Sequence, residues 1–450
     1  MTVSARAEVV TRRTYCRPLN DKGTKFETWE QVCDRVIGHQ RWLWERALTH
    51  KENRHMELKD LKPDMVGWVP LCSEQEAELV ALRDVLVNRR GVPSGRTLWL
   101  GGTKVAKERE ASMFNCAHIV VETSRDMVDS LWLLLQGCGV GFTPQVGTLS
   151  GFRHVIPEVE VIRTTRQRKG GKEHNTETYK NGVWTIQIGD SAESWAKSIG
   201  KILAGKHKAE KLVLDFSQIR PAGERLKGYG WISSGDDSLA IAYPAIVDIM
   251  NKRAGNLLSK IDILDIMNWL GTILSSRRSA EIALVEYGSK EWEEFADAKN
   301  GWWEIDAGTG RMKNPQRVQS NNSLVFYKKP GREELLALFE RMKKNGGSEP
   351  GFVNGEAAVA NAPWFRGGNP CVAGDTVVTL LIDGENEPTK VRMKDAVFMF
   401  ESGIKFKVRT YDLKARAYKF AEVTAAALTR KNEQLLKITD TISGKTIRVT

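Results

Sequence analysis

The sequence has no CxxC pair: its six cysteines, Cys16, Cys33, Cys72, Cys116, Cys138 and Cys371, are scattered through 450 residues. That spacing disfavours both a secreted disulfide framework and a structural zinc site, so no metal centre is expected. No run approaches the roughly 20 apolar residues that a membrane span needs. The amino-terminal stretch MTVSARAEVVTRRTYCRPL carries positive charge but no apolar h-region. The expectation is a cytoplasmic protein with no membrane partner. Gly (39) and Pro (14) are modest and charged residues make up 27%, which sets aside collagen-like, coiled-coil and disordered classes. With 41% hydrophobic residues, the length suits about two to four domains with sizeable cores. The formal charge of +11 points to a polyanionic partner, either nucleic acid or a phosphorylated small molecule.

A second absence marks a boundary. All 14 Trp end at Trp364 and all 7 His at His207, so the last 80 residues contain neither type. There the rhythm changes to short apolar and β-branched runs, VVTLLIDG, FKVRTYDL, LLKITD and KTIRVT, separated by Asp383-Gly384, Ser402-Gly403 and Ser443-Gly444. This tail reads as all-β. Upstream, helical patterns (TWEQVCDRVIGHQRWLWERAL, SLWLLLQ, SWAKSIGKILAG, ILDIMNWLGTILSS, EELLALFERMKK) mix with strand-like runs (HIVVET, KLVLDF, NSLVFY), as in α/β architectures. Two units therefore meet near residue 370.

In the first unit, Cys116 opens a strand-like run in SMFNCAHIVVET, where a thiol can face an internal cavity; a buried hydrophobic role is the commoner fate of such a residue. Cys138 lies in GCGVGF, which lacks the spacing and the preceding strand of a dinucleotide fingerprint. His118 shares a strand face with Cys116, and with no third ligand in view it reads as a packed or solvent-facing side chain. The stretch IRPAGERLKGYGWISSG alternates cations and glycines after a strand, which suits a loop that meets phosphate or an ordinary surface loop equally. The basic stretch RTTRQRKGGK reads as a solvated loop.

Taken in order, RTYCRPL, TWEQVCDRVIGH, VPSGRTLWLGGT, MFNCAHIVV, GCGVGF, IRPAGERLKGYG, SSRRSAEIAL, RVQSNNSLVF, GSEPGFVNGEAA and GGNPC resemble the monomeric adenosylcobalamin-dependent ribonucleoside-triphosphate reductases, from about Arg13 to Pro370. The resemblance implies an α/β fold: the amino-terminal part of a ten-stranded barrel made of two half-barrels. Residues 1–90 would be a mostly helical region and 91–370 the barrel part. It also implies adenosylcobalamin as cofactor, a ribonucleoside triphosphate as substrate, a deoxynucleotide effector and a thioredoxin-like reductant. Cys116 matches a redox-active thiol and Asn369 the residue that orients substrate. Ser320, Asn321, Asn322 and Ser323 resemble part of the substrate pocket, and Arg220, Lys227, Gly228 and Gly230 the loop that couples effector to substrate choice.

At Cys371 the pattern departs. The family has a radical-bearing cysteine followed by Gly-Glu, whereas this chain reads NPCVAGDTVVTL. The Cys-x-Ala-Gly-Asp-Thr opening (Cys371, Ala373, Gly374, Asp375, Thr376) and LLKITDTISGKTIRVT resemble the start of an intein, a Hint domain, over 371–450. The resemblance implies that the Cys371 sulfur attacks the Pro370 carbonyl. Thr450 would open the Thr-x-x-His element, and its histidine is not in the sequence. The expectation is a precursor fragment, inactive alone, from a truncated reading of a longer gene; a split system with a carboxy-terminal intein and reductase half is the alternative. Two other readings stay open: a basic nucleic-acid-binding protein, and a diverged uninterrupted reductase in which Cys371 is the radical cysteine. An iron or glycyl-radical reductase is a further variant of the enzyme reading.

Overall fold

The computed structural model describes residues 5–20, 24–167, 171–226, 231–274, 281–301, 304–308, 310–347, 349–368, 377–384, 387–412, 417–422, 436–439 and 446–449. Helices come first: α1 (Ala5–Thr14), α2 (Trp29–Glu52), α3 (Ser73–Val87), α4 (Gly95–Leu100) and α5 (Lys104–Glu108). Thr28 starts α2 because its side chain accepts from the Gln31 amide while Gln31 reaches back to the Thr28 amide, so two orphan amides are satisfied at once. Val32, Cys33 and Val36 of α2 pack with Leu86 and Leu98 in a small separate core.

Strands begin at Cys116. In chain order they are β1 (Cys116–Val121), β2 (Gly139–Pro144), β3 (Glu158–Ile162), β4 (Thr176–Lys180), β5 (Val183–Gln187), β6 (Lys211–Asp215), β7 (Arg225–Leu226), β8 (Trp231–Ile232), β9 (Glu281–Glu286), β10 (Ser320–Phe326) and β11 (Gly351–Asn354). The helices among them are α6 (Ser124–Leu135), α7 (Ala192–Ala204), α8 (Asp237–Lys252), α9 (Lys260–Thr272), α10 (Trp292–Ala296), α11 (Arg332–Asn345) and α12 (Gly355–Asn361). Five strands form one sheet in the order β1-β2-β9-β10-β11, and every pairing in it is parallel. Five parallel strands are the number in one half of the barrel expected above. A second sheet, β3-β6-β5-β4, is parallel except for its β4–β5 hairpin.

The two sheets share a core. Met127, Leu131, Leu134 and Leu135 recur on α6 at helical spacing and are buried. One face of the five-stranded sheet (Val121, Phe142, Ala283, Val285, Leu324) joins the second sheet (Trp184, Ile186, Leu212, Leu214) through residues of α6, α7, α8 and α9. Helix α7 stops at Gly205, whose φ of 51° places it in the left-handed region that glycine adopts without cost.

The tail carries β12 (Val377–Ile382), β13 (Thr389–Arg392), α13 (Met393–Glu401), β14 (Phe406–Asp412), β15 (Ala417–Glu422), β16 (Leu436–Thr439) and β17 (Thr446–Val449). The sheet β13-β12-β14-β15 is wholly antiparallel, and β16 and β17 form a hairpin. The all-β expectation needs one correction, since α13 is a helix. Ala396, Met399 and Phe400 stand at i, i+3 and i+4 and cover Leu380, Val391 and Phe406 of the sheet, so burial favours the helical period there.

Candidate active site

The parallel register sorts the residues of the five-stranded sheet into two faces, because side chains alternate along a strand. His118 lies beside Gly141, Gly141 beside Ile282, and Ile282 beside Asn321, a straight row across four strands. Three inter-strand steps give that row a span of roughly 14 Å. Cys116 and Ser323 lie on the same face, two residues before His118 and two after Asn321. The opposite face holds Ala117, Val140, Glu281, Ser320 and Asn322 and is covered by helices.

This sorting divides the four pocket residues expected on β10. Asn321 is exposed and Ser323 lies against Gly351, both on the Cys116 face. Ser320 and Asn322 are buried on the other face, where the Ser320 hydroxyl donates to Asn322 Oδ1 at 2.8 Å. The β10 backbone is anchored by a pair from outside the strand. Glu349 accepts from the Asn322 amide at 3.1 Å, and Lys299 bonds both Glu349 (3.0 Å) and the Ser320 carbonyl.

Cys116 is exposed at the amino end of β1. Its neighbour His118 is half-buried, shares a 3.3 Å hydrogen bond with Thr143 Oγ1, and is held below the ordinary imidazole value by that burial, so it stays neutral at physiological pH. Residues Phe365 to Gly368 cross this face. Phe365, like Val353, packs against the cluster of Ile282, Leu284 and Val325. Gly367 abuts the His118 ring, where no β-carbon could fit. The Gly368 carbonyl lies 2.7 Å from the place a β-carbon on Gly141 would take, with Ile282 Cγ2 3.2 Å from the same place. Glycines at these positions let one backbone pass directly over another, the use of strand glycine that GCGVGF and GGNPC conceal when read only as motifs.

Towards the carboxyl ends of the same strands the face opens into a cavity of about 530 Å³, lined by Val120, Thr143, Leu284, Glu286, Tyr327 and Arg366 among others. Burial, then the nearby Glu286 charge, pushes the Tyr327 phenol up, while Arg366 opposes the shift. Under the sheet, Glu281 is fully buried with no hydrogen-bond partner among the described residues, and burial pushes its carboxyl well above the usual range. Among the described residues no group of three or more His, Cys, Asp or Glu could hold a metal ion.

Other expected site residues lie elsewhere. Arg220 belongs to the end of the second sheet, where it is buried against Asp190 with Nε 3.0 Å from both carboxylate oxygens. It opens a hairpin whose strands β7 and β8 pair antiparallel. Lys227, Gly228 and Gly230 fall outside the described residues, as do Asn369, Pro370 and Cys371. In the basic stretch, Arg163 bonds Asp236 and Asp237 and Arg166 bonds the Gln218 carbonyl, so those two guanidinium groups are committed internally.

The parallel half-sheet, the thiol at its edge and the glycine-lined crossing towards Asn369 can be set beside known proteins. The chain is similar to adenosylcobalamin-dependent ribonucleoside-triphosphate reductases. The protein of that name from Euglena gracilis is 29% identical over 391 residues, 81% of this chain and 46% of the relative. Those from Lactobacillus helveticus and Lacticaseibacillus paracasei are 26% and 27% identical over 77% and 81% of this chain. The chain spans about half the length of the curated relatives it matches. A solved B-12 dependent (class II) ribonucleotide reductase has the same fold, with a TM-score of 0.50 over 88% of this chain and 68% of that one at 17% identity. No family model matches the chain. No helix among the described residues is long and apolar enough to cross a membrane.

Proposed function

We propose that this chain is the amino-terminal part of an adenosylcobalamin-dependent ribonucleoside-triphosphate reductase, interrupted after Pro370 by the start of an intein. The observation that carries the reading is the passage of Gly367 and Gly368 over His118 and Gly141. It keeps the last described residues before Asn369 over the face of the sheet that bears Cys116, which supports the reading that one substrate meets a redox thiol and an orienting amide.

The chemistry sets the demands. A ribose 2′-hydroxyl is a poor leaving group, so reduction starts with removal of the 3′ hydrogen. Bound adenosylcobalamin supplies the initiating radical. Cys116 and a second cysteine would each give a proton and an electron to the sugar, the 2′-hydroxyl leaving as water and the two sulfurs ending as a disulfide that a thioredoxin-like reductant reopens. Asn369 orients the sugar, and Asn321 and Ser323 offer polar groups on the same face. Neutral His118 beside Cys116 adds no charge to the site. The cavity near Tyr327 and Arg366 is of drug-sized volume, enough for a nucleoside but too small for a whole corrinoid. The described residues therefore suit only part of the cofactor. Arg220, Lys227, Gly228 and Gly230 belong to a separate effector loop, in keeping with the place of Arg220 on the second sheet.

For the tail, the Cys371 sulfur forms a bond to the Pro370 carbonyl carbon, the C–N bond breaks, and the freed Cys371 amine takes the proton, leaving a thioester. A nucleophile at the downstream flank then displaces Cys371, the intein's terminal Asn cyclises to break the peptide bond at that flank and release the intein with Cys371, and the bond left between the flanks rearranges to an amide. Two observations support a foreign element here. The sheet β13-β12-β14-β15 is antiparallel, whereas a continued barrel would need strands parallel to β11. The matched share of 77 to 81% is close to the part of the chain ahead of Cys371.

Co-expression with a candidate carboxy-terminal half, followed by assay of deoxynucleoside triphosphates with and without adenosylcobalamin, tests the reading. Product should depend on the cofactor, and Cys116→Ser should lower turnover more than about a hundredfold. Product formed without the cofactor, or undiminished by Cys116→Ser, would refute it.

A further inference from the structure

Four backbone carbonyls converge on one guanidinium behind Cys116. Arg96 is the second residue of α4, a helix capped by Ser94, whose side chain accepts from the Thr97 amide. Its Nη1 donates to the carbonyls of Ser112 (3.1 Å), Phe114 (2.9 Å) and Gln136 (3.2 Å), and its Nη2 to that of Gly137 (2.7 Å). Ser112 and Phe114 belong to the stretch that enters β1, while Gln136 and Gly137 link α6 to β2. Arg96 thus ties the amino ends of two adjacent strands to a helix outside the sheet.

A second contact reinforces the first. The buried Cys138 thiol donates to the Phe114 carbonyl at 3.1 Å and the Ala111 carbonyl at 3.4 Å, and the Gly139 amide donates to the Asn115 carbonyl at 2.8 Å. Phe114 is therefore held from two sides, and Cys116 follows two residues later. The planar guanidinium matters: its donors point in fixed directions and meet several carbonyls at once, which an ammonium on a flexible stem does not reproduce.

We propose that Arg96 is the positioning residue of Cys116, fixing where the thiol leaves the amino end of β1 on the open face of the sheet. The proposal rests on the reading of Cys116 as the reacting thiol, but it is measured without reductase activity. The full chain is alkylated with iodoacetamide and the rates at Cys116 and Cys72 are compared by peptide mass. Cys72 is exposed and precedes α3, a helix that supplies none of these carbonyls. Both Arg96→Ala and Arg96→Lys should change the Cys116:Cys72 ratio by at least about threefold, since thiol reactivity follows local access and field.

Arg17→Ala is the control, because Arg17 donates to the Trp99 carbonyl of α4 at 3.1 Å and its loss loosens that helix without freeing the four carbonyls. Should Arg96→Ala fail to fold, Arg96→Lys decides alone. An unchanged ratio in the folded Arg96 variants, or an equal change in Arg17→Ala, overturns the proposal. In the reconstituted enzyme Arg96→Lys should lower kcat and leave KM for the triphosphate in place. A shifted ratio without any reductase activity would sink the functional reading and leave the positioning role standing.

Discussion

The carbonyl oxygen of Gly368 fills the space that a β-carbon on Gly141 would need, 2.7 Å from that position. Two stretches far apart in sequence thereby meet backbone to backbone. Gly141→Ala should force them apart. We expect a loss of about 1–3 kcal/mol in urea unfolding, the usual cost of an added methyl in a packed interior. In the reconstituted enzyme its turnover should fall further than its stability.

The two faces of β10 differ in burial. Asn321 is exposed on the Cys116 face, whereas Asn322 is buried beneath the sheet and accepts from Ser320. Asn321→Ala should leave the urea midpoint almost unchanged while raising KM for the triphosphate. Asn322→Ala should destabilise by roughly 1–3 kcal/mol, because it strips a buried hydroxyl of its partner. Equal stability effects would contradict the assignment of faces.

Arg220 and Asp190 form a buried ion pair at the end of the second sheet. Arg220→Ala should cost about 3–5 kcal/mol in equilibrium unfolding, since it leaves a buried carboxylate without its partner. Replacing both residues by leucine should recover much of that loss. A neutral Arg220→Ala would mean that the side chain serves only a ligand.

His39 makes the helical region sensitive to acid. Burial, followed by the Lys107 and Arg46 charges, holds its imidazole at about 4 against an ordinary 6.5. A lowered folded-state value means that the unfolded chain binds the proton first. The stability contributed by neutral His39 is therefore complete above pH 6.5 and drains away as the pH falls towards 4. Urea midpoints should decline from about pH 7 to about pH 4, the window between the unfolded and folded imidazole values, and His39→Gln should flatten that decline. An unchanged slope in the variant would assign it to other groups.

Much of the architecture was legible because burial and period agree. The helical runs around Val32, Leu131 and Ile199 and the strands beginning at Cys116, Lys211 and Ser320 all fall where their patterns place them. Four things were hidden. Strand β4, TETYK, is polar and mostly exposed, so nothing in its composition announces a sheet edge. Helix α13 sits among β-branched runs, and its period shows only in Ala396, Met399 and Phe400. The four residues Ser320–Ser323 read as one polar block until the register assigns them to opposite faces. The glycines at 141 and 367 explain themselves only through the segment that each one meets in space, which no local pattern records.

The central claim is that a reductase half-barrel is interrupted after Pro370, and intact mass tests it most directly. The chain is co-expressed with a candidate carboxy-terminal half, beside a Cys371→Ala control. The account predicts a ligated product that has lost the mass of residues 371–450 together with the partner's intein portion, that is absent from the control, and that reduces triphosphates with adenosylcobalamin. Unligated chains alongside a competent partner, or full-length activity that retains residues 371–450, would contradict it.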